Sequence, residues 1–156
     1  MKQSAGAGAW PALWMLGATG GKTGAEIDIQ EGGFRDGSPA IPPKDVMAST
    51  FTQADGSSLG THEYNAGVDL GYQYHTYGLD WEPGQSLTWY LEGKVVAHEA
   101  SPNVPTVPME LIINNGIANN TASSWHSSAA EGVGSFNTEI ASVQIFQHPG
   151  HVNIGP

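Results

Sequence analysis

Short runs in which apolar and polar residues alternate, each closed by turn-forming residues, repeat along the chain. They are WPALWML (10–16), AEIDIQE (25–31), VMASTFTQ (46–53), YHTYGLDW (74–81), SLTWYLEG (86–93), KVVAHEA (94–100), MELIINN (109–115) and IASVQIFQ (140–147). Each is of strand length, and none sustains the 3.6-residue repeat of an amphipathic helix, so the pattern predicts strands throughout. LTWYLEGKVVAH reads as a hairpin turning on Glu92-Gly93. RDGSPAIPPKD (35–45) is a loop by its Gly and Pro content, and HPGHVNIGP (148–156) reads as a tail. No repeat and no linker divides the chain, which predicts one domain over 1–147 followed by that tail.

One run breaks its own alternation. GAEIDIQEGG (24–33) holds Glu26, Asp28 and Glu31 within six positions, with a first gap of two residues and a last gap of three. As a strand, 26, 28 and 30 share one face, while Ile27 and Ile29 point into a core. Strict alternation would then bury Glu31 unpaired among the isoleucines, which is costly. A β-bulge near Gln30 removes the conflict by shifting the register and returning Glu31 to the face of Glu26 and Asp28.

Three carboxylates on one face repel one another, and a merely solvated acidic strand is the simpler explanation. A retaining glycosidase, however, needs two close carboxyls, one ionised to attack and one protonated to assist the leaving group. Mutual repulsion raises at least one carboxyl pKa, which keeps an acid protonated near neutral pH.

Composition narrows the partners. With 156 residues, 39% of them hydrophobic and 13% charged, 21 Gly and 10 Pro, the chain can bury a core and leans to an all-β fold. A formal net charge of −10, with five Lys and Arg, argues against nucleic acid and against sulfated polymers, and favours a neutral partner. The absence of Cys excludes disulfides, thiol catalysis and Cys-ligated zinc. No apolar run is long enough to span a bilayer, so no membrane partner is expected. MKQSAGAGAW carries no signal-peptide pattern.

Other motifs fail on spacing. GATGGKTG (17–24) imitates a phosphate-binding loop, but position 16 is Leu, Gly17 comes one place late, and a strand rather than a helix follows. The six histidines (62, 75, 98, 126, 148, 151) form no strong ligand spacing, with His148-Pro-Gly-His151 the nearest approach, so surface or tail roles are expected. Asn119-Asn120-Thr121 fits a glycosylation sequon, a pattern short enough to arise by chance.

Aromatics supply the other half of a sugar site. Trp10 and Trp14 lie four apart and share a face if 10–16 is a strand, with Pro11 suited to an edge or bulge. Indoles beside an acidic groove are platforms for the apolar faces of sugar rings, with a place for both in the core as the lesser, competing reading. Trp125 in a polar loop is a third candidate platform, whereas Trp81 and Trp89 sit in apolar strands and are expected in the core.

GAWPALWMLG, GAEIDIQEGG, YHTYGLDWEPGQSLTWYLEGK and PMELIINNGIAN follow one another as in glycoside hydrolase family 16. Over about Ala9 to Gln147 the chain resembles a laminarinase-type member with the bulged Glu-x-Asp-x-x-Glu signature. The resemblance implies a jelly-roll sandwich of two antiparallel sheets, a concave sugar-binding groove, and retaining endo-hydrolysis of β-glycans outside the cell. It makes Glu26 the nucleophile, Glu31 the acid/base, and Asp28 the group that tunes charge and orients Glu26. It places Trp10 and Trp14 beside the cleft on the glycone side, and Asn114 and Trp125 at groove or loop positions.

Three departures from the family pattern shape the expectations. Members usually carry further strands before the WPALWM segment, so a chain lacking N-terminal strands is expected. Thr52 stands where laminarinase-like members often have a groove His. Ala141 stands where many have an Asp tied to structural calcium, so no metal and no cofactor are expected.

The reading is an endo-glucanase cutting β-1,3 or mixed β-1,3/1,4 linkages of a neutral β-glycan by double displacement. Its alternative is a non-catalytic β-glycan-binding module, or an agarase or transglycosylase relative, on the same fold.

Overall fold

The computed structural model describes residues 1–4, 9–17, 25–32, 46–52, 58–68, 70–117 and 136–148. Among them the chain forms eight strands and no helix: β1 (Ala9–Gly17), β2 (Glu26–Glu31), β3 (Val46–Thr52), β4 (Ser58–Asn65), β5 (Tyr77–Glu82), β6 (Ser86–Leu91), β7 (Lys94–Ala100) and β8 (Met109–Ile117). Five strands make one antiparallel sheet in the order β4-β3-β2-β1-β8, and three make a second in the order β5-β6-β7.

The core lies between the sheets, as the alternation requires. Along β6, Leu87, Trp89 and Leu91 turn inward while Ser86, Thr88 and Tyr90 alternate with them. They pack with Ile27 of β2, Leu70 and Val104, and Met15, Leu79, Trp81 and Met109 close around this cluster. Trp89 is wholly buried and Trp81 partly so, with its indole N–H donating to the Pro105 carbonyl at 2.9 Å. Both tryptophans therefore belong to the core, as their apolar runs predict.

The hairpin turns where expected. Leu91 pairs with Lys94, and Glu92 and Gly93 both take positive φ (53° and 71°), the conformation that a two-residue turn needs. Glu92 pays for no glycine freedom of its own, but Thr76 holds it twice. Its N–H donates to the Thr76 carbonyl at 2.9 Å, and its carboxylate accepts from the Thr76 N–H at 2.8 Å.

Two expectations need correction. β4 is a strand that the pattern did not predict, because SLGTHEYN carries polar residues on both faces and shows no clean alternation. It lies at the sheet edge, where such composition is ordinary. Conversely, IASVQIFQ forms no strand. Among the described residues, an isolated bridge between Lys2 and Glu139 stands just before this run, and Ile145 and Phe146 are about four-fifths exposed. Alternation alone does not make a strand; a neighbouring backbone must accept its hydrogen bonds.

Candidate active site

On the face of the five-stranded sheet that points away from the core, the candidate residues come from β1, β2 and β8. Against β1, Glu26 of β2 pairs with Leu16 and Asp28 with Trp14, but Gln30 pairs with Leu13 and Glu31 with Ala12. Between Asp28 and Gln30, β2 therefore holds one residue more than its neighbour. The β3 side shows the same excess, with Ile27 opposite Phe51 and Glu31 opposite Ala48. This is the expected bulge, and it returns Glu31 to the face of Glu26 and Asp28.

The extra residue is Ile29, which corrects one detail. Ile29 is buried but lies outside the core cluster, and Gln30 takes the inward position after Ile27. A polar side chain there requires a partner. The Gln30 amide N–H donates to Gln3 Oε1 at 2.7 Å, and both side chains are fully enclosed. Gly32 then passes so close that a Cβ would lie 2.7 Å from Gln3 Oε1 and 2.9 Å from Pro11. No spacing signal in the sequence points to Gln3; the pair forms only once the bulge has turned Gln30 inward.

Trp10 and Trp14 occupy the same face of β1, as their spacing predicts, and each is fixed by its indole N–H. Trp14 donates to Asn114 Oδ1 at 2.7 Å, and Asn114 stands opposite Ala12 in β8. Trp10 donates to Glu31 Oε1 at 2.8 Å. Sequence reasoning offered Trp10 as a sugar platform and missed this grip on the carboxyl. Thr52 pairs with Glu26 across the β2–β3 ladder. Trp125 lies outside the described residues.

The two glutamates titrate away from their ordinary range. Burial raises the Glu31 carboxyl and the nearby Glu26 charge raises it further, while the Trp10 N–H opposes both by stabilising the ionised form. Glu26 is also raised by burial. An ionised Glu26 favours the proton on Glu31. Asp28, between them, is almost wholly buried, and the Trp89 indole N–H donates to its carbonyl at 2.9 Å. The core thereby anchors the strand at the bulge.

This arrangement can do two things: attack an electrophilic carbon with one carboxylate and move a proton with the other. The sequence profile described as "Glycosyl hydrolases family 16" matches residues 1–139. The chain belongs to that family.

Its similar proteins agree. It is 33% identical to a β-glucanase of Bacillus licheniformis over 100 residues, which are 63% of this chain and 36% of that one. It is 30% identical to glucan endo-1,3-β-glucosidase A1 of Niallia circulans over 136 residues, 76% of this chain and 19% of that one. The solved Bacillus licheniformis β-glucanase superposes with a TM-score of 0.67 at 23% identity, over 86% of this chain and 57% of that one, and carries the same two-sheet sandwich. The chain spans 24% to 36% of the length of the first β-glucanases it matches.

The Trp10 bond yields a prediction. Trp10→Phe keeps an aromatic ring but removes the donor that favours ionised Glu31. The Glu31 pKa then rises, the acid survives to higher pH, and the alkaline limb of kcat/KM shifts upward in a pH–rate profile. An unmoved alkaline limb with raised KM alone would make Trp10 a sugar contact and nothing more.

Proposed function

We propose that this chain forms the catalytic part of an endo-acting, retaining β-glucan hydrolase that cuts β-1,3 or mixed β-1,3/1,4 linkages. One observation carries the reading: the bulge sets Glu26 and Glu31 on one face of β2, where partial burial and the Glu26 charge raise the Glu31 carboxyl above its ordinary value. The activities named for the similar β-glucanase and glucan endo-1,3-β-glucosidase support a glucan as substrate. The net charge of −10 supports a neutral polymer over a sulfated one. A substrate of polymer size also supports action outside the cell.

In the proposed reaction, a Glu26 oxygen attacks the anomeric carbon as the glycosidic bond breaks, and Glu31 gives its proton to the departing oxygen. The product is a glycosyl ester on Glu26 with inverted configuration. Water then attacks the same carbon, Glu31 takes its proton, and Glu26 leaves as carboxylate, which restores the β-configuration. Asp28, between the two glutamates, orients Glu26.

Incubation with laminarin, lichenan, agarose and carrageenan, with product sizes followed over time, tests the reading. Laminarin or lichenan should fall to mixed oligosaccharides from the first minutes, and NMR of fresh product should show the β-anomer first. Appearance of the α-anomer first would remove Glu26 as nucleophile. Binding of laminarin with no product at all would make the chain a glycan-binding module.

Trp14 should then act as a sugar platform. Trp14→Ala is expected to weaken oligosaccharide binding by about 1–3 kcal/mol, the scale of ring stacking on an aromatic face. Calorimetry reads the affinity, and circular dichroism should show the fold retained. Loss of folded signal would assign Trp14 to the packing of the sheet instead.

A further inference from the structure

We propose that Asp80, Glu82 and His148 form a binding site for a divalent transition metal of the zinc class on the outer face of the three-stranded sheet. Leu79 and Trp81 of β5 turn to the core, so Asp80 and Glu82, at alternate positions, share the opposite face. His148 arrives from a segment 68 positions beyond Asp80 and sets its Nε2 2.7 Å from Asp80 Oδ1 and 3.5 Å from Glu82 Oε1. One ligand atom from each of the three residues lies within 4.8 Å of the others.

The spacing suits a small tetrahedral ion. Two ligands each about 2.0–2.1 Å from zinc, at the tetrahedral angle, stand roughly 3.3 Å apart, and the two measured distances bracket that value. Asp80 and Glu82 are half-buried and His148 is exposed, so the set faces solvent on one side. The donor set also selects among metals. Imidazole with two carboxylates suits zinc, cobalt or nickel, whereas calcium and magnesium take shells of oxygen with six or more ligands. Three protein ligands leave a fourth position for water.

Spacing along the chain does not join the three, because Asp80 and Glu82 sit two apart in a strand and His148 lies in what reads as a tail. The set is also separate from Ala141, which has no carboxylate to offer calcium. A bound ion would tie the segment 136–148 to β5. The bridge of Lys2 with Glu139 and contacts at Phe136, Thr138 and the Glu139 side chain hold the start of that segment.

Without a metal, the same residues can form a simple ion pair, and the experiment separates the two. Zinc chloride is titrated into the metal-free chain by calorimetry, beside His148→Ala, Asp80→Asn and Glu82→Gln, with thermal unfolding measured with and without zinc. The proposal expects one zinc per chain, a rise in melting temperature on binding, and at least a tenfold loss of affinity in each variant. X-ray absorption of the zinc complex should show one imidazole and oxygen ligands. Calcium or magnesium in large excess should not displace the ion. Absence of saturable binding would leave only the ion pair and overturn the proposal. So would zinc binding that survives in His148→Ala, which would place the ion on the other histidines. Circular dichroism of the three variants, expected to match the parent, guards against loss of fold as the cause.

Discussion

Glu26→Ala is expected to lose hydrolysis of laminarin and lichenan by roughly 10⁴- to 10⁶-fold in kcat, the scale on which removal of a covalent nucleophile acts. The remaining Glu31 can still protonate a leaving group, but no protein atom is left to form the glycosyl ester. Alanine also vacates space beside the anomeric carbon. Azide, small and anionic, can enter there and attack an aryl β-oligoglucoside from the side that Glu26 occupied. A single displacement inverts configuration, so the product should be the α-glycosyl azide, which NMR identifies from the coupling at the anomeric proton. A β-azide from this variant would mean that the two glutamates have been assigned the wrong way round.

Glu31→Ala should lower hydrolysis of native glucan by about 10²- to 10⁴-fold, the usual contribution of positioned acid–base catalysis. Its signature differs from that of the nucleophile. An aryl β-oligoglucoside with an acidic leaving group needs no proton, so Glu26 should still form the glycosyl ester. That ester then persists, because no base activates water, and intact-protein mass spectrometry should find one added glycosyl unit on Glu26. Azide needs no deprotonation, so it should restore turnover and yield the β-glycosyl azide by a second inversion. Neither an adduct nor rescue, in a variant that still binds laminarin, would sink the double-displacement reading.

Both outcomes depend on a geometry that was partly legible in the chain. The carboxylate face was readable because strand alternation is local: Glu26 and Asp28 must point one way, and a buried, unpaired Glu31 is too costly to leave the other way. The bulge follows from that cost. Its position does not. Periodicity places the irregularity near Gln30, but the β1 and β3 registers put the extra residue at Ile29 and turn Gln30 inward to Gln3. Gln3 lies 27 positions from Gln30, and nothing in either neighbourhood marks the other.

The tryptophans divide in the same way. Spacing of four was enough to put Trp10 and Trp14 on one face, and apolar neighbours were enough to send Trp89 to the core. That the Trp10 indole bonds Glu31 depends on how far β1 slides against β2 after the bulge, which no count along the chain supplies. Family likeness proposed roles for Glu26 and Glu31; the pairing of sheet neighbours showed what surrounds them.

By itself, the sequence determined the strand period, the Glu92-Gly93 hairpin, the need for a bulge and the shared face of three carboxylates. Each follows from sterics or burial within a few consecutive residues. Tertiary structure alone decided that SLGTHEYN is an edge strand and IASVQIFQ is not a strand, that Gln30 meets Gln3, that Trp10 holds Glu31, and that His148 reaches Asp80 and Glu82. Those outcomes rest on contacts between residues far apart in the chain, where the energy belongs to the pair and leaves no trace in the local pattern of either partner.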